Sequence, residues 1–314
     1  MLEDIRNSMA YFRETLKSEI DLPESHRRFS NIIICGMGGS AISGDVVKDA
    51  FKDLLRFPVE ISRTYRLPGY ASGDSLVVCL SYSGNTWETL AQLNQAIEKN
   101  CKIVCVSSNG KMETIARERN LPYVKLSGGM MPRVAFPYLL SALLAVFQNL
   151  GLVSVPELGL EKNLDKIENE AKRLTERVNN TFPIIISQYP SVVLRYKTQL
   201  NENSKFLAKD EILPEIHHNE VESWVKLDEK FSVILLRENG EDKEVSNSFD
   251  IDKKLLDGKN VCEVFAEGDT RLERILYLIL LGDFLSYFLA EKNNTDPYPV
   301  NVIAQIKEYL ATHS

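Results

Sequence analysis

Positive charge is the first thing this chain lacks. Its 37 Lys and Arg stand against 44 Asp and Glu, a formal charge of −7 at pH 7. No basic surplus exists to neutralise a nucleic-acid backbone, so nucleic-acid binding is not expected as its task. A small anion is still within reach, because a few local cations and backbone N–H groups can hold one. Cysteine is sparse and odd in number: Cys35, Cys79, Cys101, Cys105 and Cys262 are spread along the chain, which suggests no disulfide framework. Four of the five lie in apolar runs and read as small buried hydrophobes. Cys101 and Cys105 have no second Cys/His pair at ligand spacing, so no metal is expected there. No apolar run reads as a membrane span. The most apolar, residues 275–290, is interrupted by Asp283 and falls short of the ~20 residues required. The opening MLEDIRNSMAYFRETL is charged and amphipathic, without the apolar centre of a signal peptide. A cytoplasmic, reduced setting is expected, away from membranes.

What is present is an ordinary globular composition arranged in alternating elements. At about 150 residues per domain, 314 residues suggest two domains. A leading helix is expected over residues 1–20. NIIIC, PVEISRTY, DSLVVCLSYSG, KIVCVSS and LPYVKLS then read as five strands. Helices are expected after the first, third and fourth of these, and a long apolar helix from about Pro132 to Asn149 follows the fifth. IIIC, LVVCL and KIVCV show no in/out alternation, the mark of strands buried on both faces of a parallel sheet. GLVSVPELG breaks the pattern, which then restarts: a charged helix over 158–180, the strand FPIIIS, a helix over 191–206, the strands FSVILLRE and VCEVFAEG, and a helix from Thr270 to Lys292. The expectation is α/β, with two consecutive open α/β domains, residues 1–152 and 153–314, each a mostly parallel sheet flanked by helices. Ligands of such sheets sit beyond the carboxyl ends of the strands.

Two segments stand at that position. Gly36-Met37-Gly38-Gly39-Ser40 follows the first strand and precedes a helix. Gly38 and Gly39 let the backbone approach a ligand, and Ser40 opens a helix whose N–H groups suit an anion. A tight strand-to-helix turn explains the same residues. Ser81-Tyr82-Ser83-Gly84-Asn85-Thr86 follows the third strand. Ser81, Ser83 and Thr86 can wrap a phosphate without net positive charge, and simple helix capping also accounts for them.

S-x-S-G-x-T after a strand resembles the phosphosugar-binding signature of sugar isomerase (SIS) domains. With GMGGS upstream and two α/β units in about 300 residues, the chain resembles the bifunctional phosphoglucose/phosphomannose isomerases, within the phosphoglucose isomerase superfamily. That resemblance implies two SIS domains and an aldose–ketose isomerase of hexose 6-phosphates. Gly38, Gly39, Ser40, Ser81, Ser83 and Thr86 would hold phosphate or sugar hydroxyls. Gln199-Leu200-Asn201-Glu202-Asn203 matches the family's Q-x-N-E-N segment, making Glu202 the base that moves a proton between C2 and C1. Pro214-Glu215-Ile216-His217-His218-Asn219-Glu220 matches P-E-x-x-H-N-E at His218, which would shuttle a proton during ring opening. His217 reads as an ordinary loop residue. In relatives the matching histidine comes from the neighbouring subunit, which implies a homodimer with a shared active site. Arg133, in a P-R pair at the start of the apolar helix, would stabilise the enediolate. Lys307, on a short helix after Asp296-Pro297, matches a lysine near the ring oxygen.

No cofactor is called for. GMGGS lacks the third glycine of G-x-G-x-x-G, and no Gly-Lys-Ser/Thr follows. Acidic Glu215 and Glu220 beside the histidines raise a metal reading, but no His-x₃-His spacing supports it. Two rival functions remain: a non-catalytic SIS sensor of sugar phosphates, which needs neither Glu202 nor His218, and another SIS phosphosugar isomerase.

Overall fold

The unbroken apolar runs become strands shielded on both faces. In the computed structural model, which describes residues 1–312, nine strands among them form two parallel sheets. β1 (Asn31–Cys35), β2 (Val59–Ser62), β3 (Ser75–Leu80), β4 (Lys102–Ser107) and β5 (Tyr123–Lys125) run in the order β2-β1-β3-β4-β5. β6 (Phe182–Ser187), β7 (Lys209–Ile212), β8 (Phe231–Glu238) and β9 (Val261–Ala266) run in the order β7-β6-β8-β9. Every pairing in both sheets is parallel. The expected pair of open α/β units, each a parallel sheet flanked by helices, is what the chain forms.

Strand alternation decides which core each residue joins. Ile32 and Ile34 of β1 face a large shared core, whereas Ile33 and Cys35 face a smaller outer one with Val77, Cys79 and Cys105. The shared core also takes Ile185, Ile234 and Leu236 from the second sheet. The apolar helices Phe136–Asn149 and Arg271–Lys292 lie in it between the sheets. A second outer core holds Ile184, Ile186, Leu213, Ile216, Trp224, Val233 and Phe249. The helix Arg271–Lys292 runs close against Pro190–Gln199, and only glycine fits the crossing: a Cβ on Gly282 would sit 2.6 Å from the Tyr196 ring. Among the described residues, no helix is long and apolar enough to cross a membrane.

Several local expectations change. The leading helix is two pieces, Leu2–Arg6 and Ser8–Leu16, joined at Asn7. The apolar helix begins at Phe136, not Pro132, with Pro137 in its first turn. Arg133 therefore precedes the helix instead of opening it. β7 and the helix Lys243–Leu255 carry no expectation from the sequence. KDEI is a polar edge strand with a partner on one side only, so it lacks the apolar signature of its neighbours. The helix after β6 ends at Gln199 and passes into a π-helical turn, Leu200–Ser204.

Candidate active site

In the first sheet β2 and β3 flank β1 on opposite sides, so the connections leave in opposite directions at the carboxyl ends of β1 and β3. That divergence is where ligands of open α/β sheets bind. The glycine loop leaves β1 there. Gly38 has φ +51°, a conformation that disfavours a side chain, and Gly39 begins the helix Gly39–Phe51. Ser40 is buried behind it. From β3 comes the hydroxyl loop. The Ser81 and Thr86 hydroxyls lie 2.8 Å apart. Thr86 thus spends its hydroxyl on Ser81 and makes no side-chain cap on the helix Trp87–Glu98, whose first N–H groups stay available to a ligand. Gly84 turns the loop at φ +65°, pressed against the Asn109 carbonyl where no Cβ fits. The Tyr82 hydroxyl donates to the Ser127 carbonyl and accepts from the Met130 N–H, which ties this loop to the turn carrying Arg133.

Arg133 is 7% exposed and held on three sides. Its Nε donates to Asn203 Oδ1 at 2.7 Å, and its Nη2 donates to the carbonyls of Pro297 and Tyr298 at 2.5 and 2.9 Å. Burial lowers its pKa below the usual arginine value; the nearby Glu202 carboxylate opposes that effect. Arg195 supports the turn from beneath. Its guanidinium pairs bidentately with Asp283, both contacts 3.0 Å, and Nη2 donates to the Arg133 carbonyl at 2.9 Å. It lies 4.8 Å from the Phe136 ring centroid. A Cβ on Gly39 would come within 3.8 Å of Arg195 Nη1 and 3.7 Å of the Pro132 carbonyl, so the glycine loop, the Arg133 turn and the second lobe meet here.

Glu202 projects from the π-helical turn. That turn adds a residue to the helical register and recurs at functional sites. Asn203 beside it is 1% exposed, bonded to Arg133 and, through Nδ2, to the Ser286 hydroxyl at 2.9 Å. Lys205 ends the turn in the left-handed region, φ +58°, and its Nζ donates to the Pro299 carbonyl at 2.8 Å. Burial lowers the Lys205 pKa, and Arg133 adds to that. Glu202 is partly exposed, and its carboxylate makes no hydrogen bond among the described residues. A carboxylate with no hydrogen-bond partner of its own, set beside Arg133 and Lys205, is sterically free to meet a ligand.

The chain thus brings Gly39, Arg133 and the Glu202 turn together. It leaves two expected residues on the surface. His218 is exposed on the turn Glu215–His218, and Lys307 is exposed on the terminal helix Asn301–Thr312. Among the described residues, no three His, Cys, Asp or Glu side chains converge as metal ligands. Sequence reasoning missed Arg195, Asn203, Asp283 and Ser286. One signal was available: Asp283 interrupts an otherwise apolar helix, and a charge in such a setting demands a buried partner.

Family models match both halves of the chain: a SIS domain over residues 27–147 and the bacterial phospho-glucose isomerase C-terminal SIS domain over residues 167–310. A bifunctional phosphoglucose/phosphomannose isomerase from Aquifex aeolicus is 36% identical over 306 residues, 94% of either chain. One from Caldicellulosiruptor bescii is 34% identical over 302 residues, 89% of either chain. Among solved structures, the C-terminal domain of glucosamine-fructose-6-phosphate aminotransferase from Francisella tularensis matches the fold with a TM-score of 0.75 at 14% identity, over 94% of this chain and 96% of that one.

Proposed function

This chain belongs to the bifunctional phosphoglucose/phosphomannose isomerase family, and we propose that its two lobes divide the work of that reaction. The enzyme interconverts glucose 6-phosphate and mannose 6-phosphate with fructose 6-phosphate. The first lobe anchors the phosphate and sugar hydroxyls with Gly38, Gly39, Ser40, Ser81, Ser83 and Thr86. These are neutral groups at two helix starts, suited to an anion without a basic patch. The second lobe supplies the base. Glu202 takes a proton from C2 of the open aldose and returns it to C1, through a cis-enediol whose two carbons present one face. Negative charge grows on the C1 and C2 oxygens during that step, and Arg133 stabilises it. Glucose and mannose 6-phosphates differ only at C2 and share the enediol; rotation about C2–C3 in the site presents either face of C2 to the one carboxylate.

One observation carries this reading: Asn203, next to Glu202, binds the guanidinium of Arg133. Base and charge stabiliser come from different lobes and are held in one frame before substrate arrives, as electrostatic preorganisation requires. His218 and Lys307 assist ring opening. His218 reaches the sugar from a neighbouring subunit, so the working form is a homodimer with shared sites. The terminal helix supports a second copy: Val302, Ile306 and Tyr309 on it are 69%, 54% and 62% exposed, an apolar stripe of the kind that marks protein contacts. We divide the domains at 152/153, between β5 and β6. Five free thiols suit a reducing, cytoplasmic setting. The proton-transfer route uses no cofactor, and activity is expected to survive EDTA.

The test is incubation with fructose 6-phosphate in D₂O. Deuterium at C2 of both glucose and mannose 6-phosphate is expected. Aldose products still free of deuterium at C2 after many turnovers, at isomerisation equilibrium, would overturn the proton-transfer route.

A further inference from the structure

The turn bearing His218 is held from behind. Leu213 and Ile216 plug it into the outer core of the second sheet, 5% and 0% exposed. His217, expected to be an ordinary loop residue, turns inward instead. Its Nε2 meets Asp252 Oδ1 at 2.8 Å. Asp252 belongs to the helix Lys243–Leu255 and is 0% exposed; its Oδ2 has no hydrogen-bond partner among the described residues. Burial pushes the Asp252 pKa up, while His217 pulls it down.

A fully buried carboxylate with one partner is an expensive anchor. An apolar side chain of similar volume would hold the turn with no desolvation penalty. What the carboxylate adds is direction, since it accepts only along defined lines from a ring with two distinct nitrogens. Fixing that ring fixes the backbone at 217, and the next side chain out is His218.

We propose that Asp252 is a positioning residue for the isomerase: through His217 it sets the turn Glu215–His218 so that His218 points at the sugar ring oxygen. This rests on the reading of His218 as the ring-opening proton shuttle. The anchor never touches substrate. Its loss costs alignment and leaves binding intact, so it lowers kcat and leaves KM alone. Its effect is confined to molecules that enter as closed rings.

The experiment uses the purified full-length enzyme with two substrates: glucose 6-phosphate, and an open-chain aldose phosphate that has no hydroxyl able to close a ring. Asp252→Asn and His217→Leu are each expected to lower kcat on glucose 6-phosphate by about 10-fold or more, within the range of general acid–base catalysis. KM and the open-chain rate stay unchanged. His217→Gln keeps an N–H near the position of Nε2 and is expected to retain most activity. Asp252→Asn combined with His218→Ala is expected to be no slower than His218→Ala alone, the sign of two residues acting through one. Equal slowing of both substrates, or multiplied losses in the double variant, would overturn the proposal. If Asp252→Asn does not fold, the His217 pair decides: His217→Leu with wild-type rates sinks the anchor. If His218→Ala leaves glucose 6-phosphate turnover intact, it is the His218 reading that falls, and the anchor with it.

Discussion

The two sheets share a plan and differ in what fills it. In each, the first strand lies between the second and the third, β2-β1-β3 and β7-β6-β8, so each has the same divergent crevice at its strand ends. The first crevice is lined by glycines and hydroxyls. The second is already occupied by the protein's own anion. Glu238, at the end of β8 and 5% exposed, accepts from the Tyr189 hydroxyl at 2.8 Å and from Arg274 Nε at 2.7 Å. Arg237 beside it is consumed by Glu241, Asp250 and Glu263. The donors around this crevice are spent on the protein's own carboxylates. The second lobe contributes at the far end of the helix that follows β6, where the π-helical turn carries Glu202. Equal topology supplies equal crevices; side chains decide which one stays open.

That contrast can be broken. Glu202→Gln removes the base that the second lobe supplies and is expected to cut turnover by up to about 10⁴-fold, the upper range for a general base, while phosphosugar binding measured by calorimetry persists. Wild-type-like rates would reject it. Asp283→Ala strands Arg195 as a buried, unpaired cation where the lobes meet. Urea melts are expected to show a loss of about 3–5 kcal/mol; an unchanged midpoint would mean that the joint does not depend on this pair. Arg133→Ala is expected to lower kcat by about 10²–10³, and Arg133→Lys not to restore it, since a lysine cannot bridge Asn203 and two carbonyls at once. Ser83→Ala probes the open crevice. One hydroxyl lost from a phosphate raises KM by roughly 10-fold with kcat kept, and an unchanged KM would place the phosphate elsewhere. The smallest effect sharpens the comparison most. Glu238→Gln is expected to lower stability yet leave kcat within about two-fold, because the closed crevice lies outside the reaction path. Collapse of kcat would show that the second crevice is in use.

Strands and their grouping were legible because burial on both faces leaves an uninterrupted apolar run, as in IIIC and LVVCL. β7 was hidden because an edge strand needs no such run. The loops of the first crevice could be read because glycine and hydroxyl requirements are local. Arg195 and Asp283 could not be paired from sequence, since 88 positions separate them and only the crossing of two helices at Gly282 joins them. His217 was passed over for the same reason: its partner lies on a helix the sequence did not reveal.

The segment Pro297–Pro299 straps the two halves together. Its three carbonyls grip Arg133 and Lys205, which come from opposite halves of the molecule. Asn203 holds the Nε edge of the guanidinium, and the strap holds its Nη2 edge. One short strap thus sets a cation of each half at once, so neither half can shift against the other without releasing its own.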